Sequence, residues 1–359
     1  MADGLVELIH ALVAIDSVNP SLVPGGAGER EAAAFVAAWA RDAGLEAQTL
    51  EATPGRPSVV VRAPGTGGGR TLLLCGHLDT VTTEGMADPG PRVDGDRFHG
   101  RGAYDMKAGV AAALVACREA AALGVRGDVV VAAVADEEHA SLGVREVLGS
   151  VTADAAIVTE PTELELIVAH KGFVWAEIEV TGRAAHGSRP HLGVDAIVKS
   201  GPVLSELGAL DEALGARTHP LLGRGSVHAS TIRGGEELSS YPARCVVGLD
   251  ALLDRCRAAD AALVAEARTL LVREPFEVAA DAEIVATVRV AAGEALGAPP
   301  PVAGASYWAD AAFIAAAGIP TVMFGPAGEG AHAAEEWVSI ASTEQVVRTL
   351  VATAARTCA

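Results

Sequence analysis

The sequence predicts an α/β fold, in which a mostly parallel sheet forms the main domain and a smaller α+β domain is inserted into it. Three observations support this prediction. Short apolar runs in the first half of the chain have the length of buried strands. An Ala-rich segment between two of these runs is long enough for a crossover helix, and strands with one polar face begin near the middle of the chain.

Helix and strand signals alternate in the first half of the chain. A helix is predicted over residues 29–43, because apolar residues recur at helical spacing and Gly44 follows as a stop signal. A second helix is predicted over the Ala-rich residues 106–123. The predicted strands are mainly apolar runs bounded by Gly, Pro or charge: residues 58–62, 71–76, 128–135 and 155–159. The Gly-rich residues 63–70 indicate a surface hairpin or loop.

The middle of the chain has a different pattern, which predicts a separate small domain. Residues 173–181 alternate apolar and charged side chains, as a strand with one solvent-exposed face does. A helix over residues 194–207 and strands over residues 226–232 and 244–250 complete a domain with β-α-β-β content.

The last part of the chain returns to the first pattern. Helices are predicted over residues 284–295 and 310–317, and a strand over residues 321–324. The predicted main domain is therefore discontinuous. Residues 1–167 and 280–359 form it, and residues 168–279 form the inserted domain.

Charge and composition exclude several classes of function. The 27 Lys and Arg residues against 46 Asp and Glu residues give a formal net charge of −19, whereas nucleic-acid and anionic-membrane binders need a basic surface. No apolar run approaches the ~20 residues of a membrane span, and the start of the chain lacks the basic residues of a secretory signal. Five widely spaced cysteines without a C-x-x-C pair are typical of thiols in a reducing compartment. We therefore expect a cytoplasmic protein with no nucleic-acid or membrane partner.

Metal-ligating side chains follow the predicted strands, at the sheet edge where α/β proteins bind ligands. They are His77 and Asp79 after the strand 71–76, Asp136, Glu137 and Glu138 after the strand 128–135, Glu160 after the strand 155–159, and His332 after the strand 321–324. A further acidic residue, Asp105, precedes the helix 106–123 and follows a Gly-rich turn. We expect all of these side chains to project from one edge of the sheet.

Imidazole and carboxylate donors without a thiolate are the ligand types that zinc, cobalt and manganese prefer. Five ligands, with Asp105 shared, suffice for two ions ~3.5 to 4 Å apart, an arrangement used for metal-assisted hydrolysis. Among the adjacent acidic residues 136–138, one carboxylate can bind metal while its neighbour accepts a proton from water. Histidines and acidic residues are also common in ordinary polar loops. Their spacing alone therefore does not distinguish a metal site from such loops.

Five segments of the chain form an ordered set of motifs. They are LLLCGHLDTV (72–81), GRGAYDMKAGVAA (100–112), ADEEHASLG (135–143), TEPT (159–162) and GEGAHAAEEWV (328–338). This set resembles, in order, the motifs of the dinuclear metallopeptidase family that contains acetylornithine deacetylase, succinyl-diaminopimelate desuccinylase and glutamate carboxypeptidase. The resemblance extends over nearly the whole chain. It implies a catalytic main domain and an inserted lid or dimerisation domain.

The resemblance also implies a set of ligands for two divalent metal ions. Zinc is the expected metal, and cobalt and manganese are the alternatives. His77 and Glu160 would hold one ion, Glu138 and His332 would hold the other, and Asp105 would bridge them.

Two further acidic residues receive roles from the same resemblance. Glu137 would act as the general base for the water between the ions and then as the acid for the leaving amine. Asp79 would be the carboxylate that fixes the tautomer of His77, as expected for an H-x-D pair at one strand end.

The inserted domain carries one more motif, TGRAAHGSRPHLGVDA (181–196), which resembles the lid segment of this family. There the His, here His186, reaches across a dimer interface and stabilises the tetrahedral oxyanion in the partner's site. The resemblance therefore implies a homodimer formed through the lid, in which closure of the lid brings the donor into place.

The sequence departs from the family at the expected substrate-carboxylate site. Leu252 stands where relatives carry an Arg that clasps the carboxylate, and Ser239 stands where they often carry an Asn. Arg233, Arg255 and Arg257 are the nearby cations. Leucine cannot form the forked contact of a guanidinium with a carboxylate.

These observations lead to one primary functional prediction and two alternatives. The primary prediction is a metal-dependent amidohydrolase that removes a small acyl group from an amino acid or related amine, like acetylornithine deacetylase. The first alternative is a carboxypeptidase or dipeptidase of the same family, acting on short peptides. The second is a non-catalytic relative that serves as a binding protein.

Overall fold

The computed structural model describes residues 4–248 and 264–359. The chain divides into two compact units, a main unit of Met1–His170 with Phe276–Ala359 and an inserted unit of Lys171–Pro275. The junctions lie within a few residues of the predicted limits. The assignment of these units as catalytic domain and as lid or dimerisation domain stays a prediction.

The helices of the described residues are α1 (Leu5–Ala14), α2 (Arg30–Asp42), α3 (Ala108–Leu123), α4 (Leu142–Leu148), α5 (Ala196–Lys199), α6 (Gly201–Gly215), α7 (Glu283–Leu296), α8 (Ala311–Ala316) and α9 (Ile340–Thr357). Four predicted helices of the main unit are confirmed as α2, α3, α7 and α8. An irregular helical turn, Ala103–Lys107, leads into α3.

The strands, in chain order, are β1 (Glu46–Leu50), β2 (Ser58–Ala63), β3 (Leu72–His77), β4 (Arg92–Asp94), β5 (Arg97–His99), β6 (Val129–Val134), β7 (Ala155–Val158), β8 (Leu166–His170), β9 (Phe173–Thr181), β10 (Ala185–His186), β11 (Thr218–His219), β12 (Gly223–Arg224), β13 (Ile232–Gly234), β14 (Ser240–Tyr241), β15 (Arg244–Val247), β16 (Val264–Arg273), β17 (Phe276–Glu277), β18 (Val302–Ala305), β19 (Thr321–Met323), β20 (Gly328–Glu329) and β21 (Trp337–Ser339). Residues 64–71 contain no strand, so the Gly-rich segment is a loop.

The main sheet confirms the predicted α/β fold class. Its strand order is β1-β2-β6-β3-β7-β19-β8-β17, with β18 paired to β8. The central strands β6, β3, β7 and β19 are parallel. The strand β2, predicted as part of the parallel set, runs antiparallel to β6. The short loop 64–71 between β2 and β3 has no room for a crossover helix, so the chain reverses direction there.

Both faces of the main sheet are buried along its central strands. Successive residues along one strand belong to opposite cores: Leu72 and Leu74 pack in one, and Leu73 and Cys75 pack in the other. Helices α1, α2, α3, α7 and α9 contribute to the first core, and α4 and α8 contribute to the second. Burial on both faces explains why these strands read as continuous apolar runs.

The inserted unit contains an antiparallel sheet with the order β13-β15-β9-β16. Helices α5 and α6 replace the single helix predicted over residues 194–207, and Pro202 stands at the start of α6, where it needs no hydrogen-bond partner for its nitrogen. A small core of its own includes Ile178, Val203 and Cys245.

The predicted strand over residues 226–232 is wrong. Residues 225–231 have no regular structure, and β13 begins only at Ile232. The carboxylate of Asp211 on α6 accepts the N–H of Val227 at 3.0 Å and also pairs with Arg224. This segment is therefore anchored by a helix side chain rather than by a strand ladder.

Two further observations concern the described part of the chain. Within it, no helix is both long enough and apolar enough to cross a bilayer. Four of the cysteines, Cys75, Cys117, Cys245 and Cys358, are buried free thiols, and Cys256 lies outside the described residues.

Candidate metal centre

Five of the predicted site residues lie together in the main unit. His77 is the last residue of β3, Glu138 follows β6, and Glu160 follows β7, three neighbouring parallel strands that end at the same sheet edge. Asp105 lies in the turn before α3, and His332 lies between β20 and β21. The structure thus brings together side chains that the sequence places far apart.

These residues form two groups of metal-ligating atoms that share Asp105. In the first group, His77 Nε2 lies 3.1 Å from Asp105 Oδ1 and 3.8 Å from Glu160 Oε1. In the second, His332 Nε2 lies 3.3 Å from Asp105 Oδ2 and 3.1 Å from Glu138 Oε2. Within each group, the ligating atoms lie within 4.8 Å of one another.

This geometry fits a pair of divalent ions. Asp105 presents one carboxylate oxygen to each group, which is the arrangement of a bridging ligand. Each group combines one imidazole with carboxylates, a donor set suited to zinc, cobalt or manganese rather than to magnesium or calcium.

The two histidines hold protons tightly when no metal is bound. Hydrogen bonds to Asp105 and Glu138 raise the pKa of His332 to about 10. Burial lowers the pKa of His77, but its hydrogen bond to Asp105 and the nearby carboxylates outweigh burial and raise that pKa well above its usual range. Burial acts against ionisation of Asp105 as well, yet the two histidines hold its pKa well below the ordinary value.

The remaining carboxylates repel one another. Burial raises the pKa of Glu160 well above its usual range, and Asp105 and Glu138 raise it further. Burial also raises the pKa of Glu138, against the hydrogen bond from His332. Positive charge bound between these groups would relieve the repulsion, so the electrostatics of the cluster favour cation binding.

We expect the metal-free protein to lose stability as pH rises from about 6.5 towards 10. The folded-state pKa of His332 lies above its ordinary value, and those of His77, Glu138 and Glu160 are also raised. The folded protein therefore binds these protons more tightly than the unfolded chain, and the resulting stability is lost as pH rises through the folded-state values. Bound metal replaces the protons, so the zinc-loaded protein should lack this fall. Thermal unfolding of chelated and loaded protein checks this, and a flat profile for the chelated form would contradict it.

Glu137 immediately precedes Glu138 of the second group, and its carboxyl interacts electrostatically with His77 and Glu160 of the first. Burial raises its pKa well above the usual range, and the negative charges of Glu160, Asp310 and Glu138 add to this effect, while His77 opposes it. A carboxyl group with a raised pKa can both accept and return a proton near neutral pH. Glu137 is thus chemically suited to proton transfer.

Asp79 contacts the site in two ways. Its backbone carbonyl lies 2.9 Å from His77 Nδ1, whereas its carboxylate Oδ1 lies 3.7 Å from that atom. A proton on Nδ1 would therefore be donated to the carbonyl, which leaves Nε2 available as a ligand. The carboxylate accepts the backbone N–H groups of Glu137 and Glu138 at 3.1 and 3.2 Å. Asp79 thereby fixes the loop that carries the base as well as orienting the imidazole.

A buried polar network that the sequence did not predict lies behind this loop. Asn19 Nδ2 donates to Asp79 Oδ2 at 2.7 Å and to Asp136 Oδ1 at 3.0 Å. Arg56 contacts Asp136 at 2.8 Å and binds both carboxylate oxygens of Glu29. Asp136 itself has a left-handed backbone with φ 68°, so these contacts hold an uncommon conformation next to the base. No local motif in the sequence marks Asn19 or Arg56.

Two glycines allow α3 and the turn before it to approach the strands. A Cβ atom at Gly109 would lie 2.1 Å from the backbone oxygen of Thr159, next to Glu160. A Cβ atom at Gly76 would lie 2.8 Å from Met106, next to Asp105. A side chain at Gly109 would therefore push α3 away from the segment that carries Glu160, whereas the terminal methyl group of Met106 belongs to a flexible side chain and can move away from one at Gly76.

His186 belongs to the inserted unit. It is exposed on the short strand β10, which pairs with β14, and its Nδ1 lies 2.8 Å from Ser188 Oγ. The backbone oxygen of Ser239, just before β14, accepts the N–H of Gly187 at 2.7 Å. This two-stranded pairing therefore presents His186 at the surface of the inserted unit.

Of the residues considered for the expected carboxylate site, Arg233 and Ser239 lie in the described part of the chain. Arg233 lies on β13, where it is exposed and pairs with Val246. Leu252, Arg255 and Arg257 lie outside the described residues.

Solved structures of peptidases resemble the whole chain. A tripeptidase from Staphylococcus aureus matches with a TM-score of 0.82 at 19% identity, covering 100% of this chain and 99% of its own. An M20 family metallo-carboxypeptidase from Sulfolobus solfataricus matches with a TM-score of 0.78 at 19% identity, covering 99% of both chains. At this level of identity, the matches establish the shared fold.

Proteins that are similar in sequence are named acetylornithine deacetylase rather than peptidase. The acetylornithine deacetylase of Aliivibrio fischeri (strain MJ11) is 28% identical, and the alignment covers 96% of both chains. That of Vibrio atlanticus (strain LGP32) is also 28% identical, but the alignment spans 63% of this chain and 63% of that relative's length.

The family follows from a match to residues 73–356, which include all five candidate ligands and Glu137. The description of the matching family is Peptidase family M20/M25/M40. This match confirms the resemblance and the prediction of an enzyme. The chain belongs to peptidase family M20/M25/M40 and is a hydrolase of that family.

Proposed function

We propose that this protein is a dinuclear metal-dependent amidohydrolase that removes a small acyl group from an N-acyl amino acid or related amine. One observation carries the proposal: Asp105 presents one oxygen to each of two metal-ligating groups. Glu137, the residue before Glu138, interacts electrostatically with members of both groups. The relatives named acetylornithine deacetylase support the choice of substrate class.

The bound ions would polarise the scissile carbonyl and make a water molecule acidic enough to lose a proton near neutral pH. Glu137 accepts that proton as the water oxygen bonds to the carbonyl carbon, and it then returns the proton to the amide nitrogen as the C–N bond breaks. The immediate products are a carboxylic acid and an amine, and transfer of the remaining proton from acid to amine gives a carboxylate and an ammonium group. Asp79 keeps the Glu137 backbone in place during both transfers, through its hydrogen bond to the N–H.

A second candidate is a carboxypeptidase or dipeptidase, since solved structures that share this fold include a tripeptidase and a metallo-carboxypeptidase. Leu252, at the position where relatives carry a carboxylate-binding Arg, argues against tight capture of a C-terminal carboxylate. An N-acyl amino acid carries a carboxylate as well, so Leu252 argues against tight carboxylate capture by either candidate and leaves the chemistry of the metal centre unaffected.

Turnover of a panel of N-acyl amino acids and dipeptides by zinc-loaded and cobalt-loaded enzyme tests the proposal. We expect the N-acyl amino acids to be cleaved with the higher kcat/KM. Faster cleavage of dipeptides would favour the second candidate, and no cleavage of either class by enzyme holding two equivalents of metal would count against both.

We further propose that the protein acts as a homodimer, in which His186 of one chain serves the site of its partner. The exposed position of His186 supports this role. We expect His186→Ala to lower kcat by about 100-fold, the size of effect seen when one oxyanion donor is lost, with metal content unchanged. His191→Ala, an exposed histidine in the same segment, is the matched control and should have little effect.

Mixed dimers separate action in the partner's site from action within one chain. A dimer of one His186→Ala chain and one Glu137→Gln chain contains one complete site if His186 crosses the interface, and no complete site if it does not. Recovered activity on mixing the two inactive proteins is the expected result. No recovery from mixed dimers isolated by two affinity tags would refute action in the partner's site.

A further inference from the structure

A buried ion pair that plays no part in the proposed chemistry lies beside the metal centre. Arg101 Nη1 contacts Glu336 Oε2 at 2.7 Å, and the two residues are 5% and 1% exposed. Desolvating such a pair is costly, so its net contribution to stability is commonly small. The arrangement of its remaining hydrogen bonds indicates a different role.

Glu336 binds the turn that leads to Asp105. Its Oε1 accepts the N–H of Tyr104 at 2.9 Å and the N–H of Asp105 itself at 3.1 Å. Its Oε2 accepts the N–H of Gly102 at 3.1 Å in addition to Arg101. One buried carboxylate thus fixes the backbone of the residue that is shared by both ligand groups.

Arg101 binds two other segments that bear ligands. Its Nη2 donates to the backbone oxygen of Ala333 at 2.9 Å, directly after His332. Its Nε donates to the backbone oxygen of Thr82 at 3.0 Å, on the segment that follows His77. All of these contacts lie within the main unit.

His332 needs such support, because its backbone is left-handed with φ 61°. This conformation is uncommon for a residue with a side chain. The contact of Arg101 with Ala333 restrains the loop at the next residue, while the contacts of Glu336 restrain Asp105.

We infer that Arg101 and Glu336 are positioning residues for the dinuclear centre, and that Arg101 in particular holds His332 where the group Asp105–Glu138–His332 can bind its ion. This inference rests on the proposed function for the presence of two ions. The inference further predicts that the two ion sites depend differently on Arg101 and Glu336. Arg101 supports one of them through His332, whereas Glu336 supports both through Asp105.

The test is metal titration of Arg101→Lys by calorimetry, with cobalt(II) absorption as the spectroscopic readout of ligand geometry. Lysine keeps the charge opposite Glu336, but its single nitrogen cannot also reach Ala333 and Thr82. We expect the first equivalent of metal to bind as in the parent protein and the second to bind ~10- to 100-fold more weakly, the range found for groups that orient metal ligands.

Glu336→Gln is the second variant. The amide nitrogen of this variant replaces one acceptor oxygen and faces N–H donors, to which it cannot hydrogen-bond. The turn that carries Asp105 therefore loosens, and both equivalents of metal should bind more weakly. Arg62→Lys is the matched control, because Arg62 pairs with Asp128 in a part-exposed ion pair, and it should bind metal as the parent does.

Each outcome has a defined meaning. Parent-like binding of two equivalents by both variants would overturn the inference, as would equal weakening of both equivalents in Arg101→Lys. Loss of the fold by both metal-free variants would also overturn it, since a positioning role predicts a folded protein. Fewer than two equivalents bound by the parent protein would instead count against the proposed function.

Discussion

Glu137→Gln is expected to lower kcat by about 10²- to 10⁴-fold, the contribution typical of a positioned general acid–base, while the protein still binds two equivalents of metal. Glutamine keeps the size of the side chain and the backbone N–H that Asp79 accepts, but it cannot accept a proton from water or return one to the leaving nitrogen. Steady-state kinetics together with metal analysis of the same preparation measure the effect.

The chain offers a matched control one residue further on. Glu138→Gln makes the same chemical change, but Glu138 contacts His332 within the second ligand group, so this variant should lose affinity for one ion. Activity of Glu138→Gln should recover in part at high metal concentration, whereas that of Glu137→Gln should not. Full activity of Glu137→Gln at two bound equivalents would eliminate the proposed proton transfer.

Asp105→Ala is expected to have the largest effect on metal binding, because each ligand group includes one of the two Asp105 oxygens. Without this carboxylate, the first group keeps His77 and Glu160, and the second keeps Glu138 and His332. We expect the affinity for both ions to fall by at least ~10- to 100-fold, the loss found for changes to groups that merely orient ligands, and activity to fall with metal content.

Calorimetric titration with zinc and with cobalt measures this effect. Asp128→Ala, which removes an acidic residue paired with Arg62 in the same unit, controls for the loss of one negative charge. Two equivalents bound at parent affinity by Asp105→Ala would show that Asp105 does not bridge. Loss of one equivalent with the other unchanged would place Asp105 in a single site.

The centre of the main sheet was predictable because each of its strands is buried on both faces. Such strands consist of apolar runs with clear ends, as β3 and β6 do. The strands β4, β5, β20 and β21 have two or three residues each, too few for a period to show. The antiparallel direction of β2 was missed, although the loop 64–71 is too short for a crossover helix and the chain therefore reverses direction before β3.

Three of the candidate ligands lie at the end of a strand or shortly after it, where the local sequence indicates position in the sheet. His77, Glu138 and Glu160 all obey this rule. Their supporting residues do not. Arg101 and Glu336 are separated by 235 positions in the chain, and a buried arginine in a loop has the same local pattern as an exposed one.

The strands at the junction of the two units have a consequence for how this chain is organised. Its main unit ends at His170 on β8 and resumes at Phe276 on β17, and these two residues lie opposite each other in one antiparallel ladder. The inserted unit therefore occupies the place of a hairpin turn. Its two ends are already held together by the sheet, and each doubling of a loop's length adds only about 0.6 kcal/mol of closure cost. A change in the length of the insert is therefore expected to leave unchanged the register of the sheet that carries the candidate ligands.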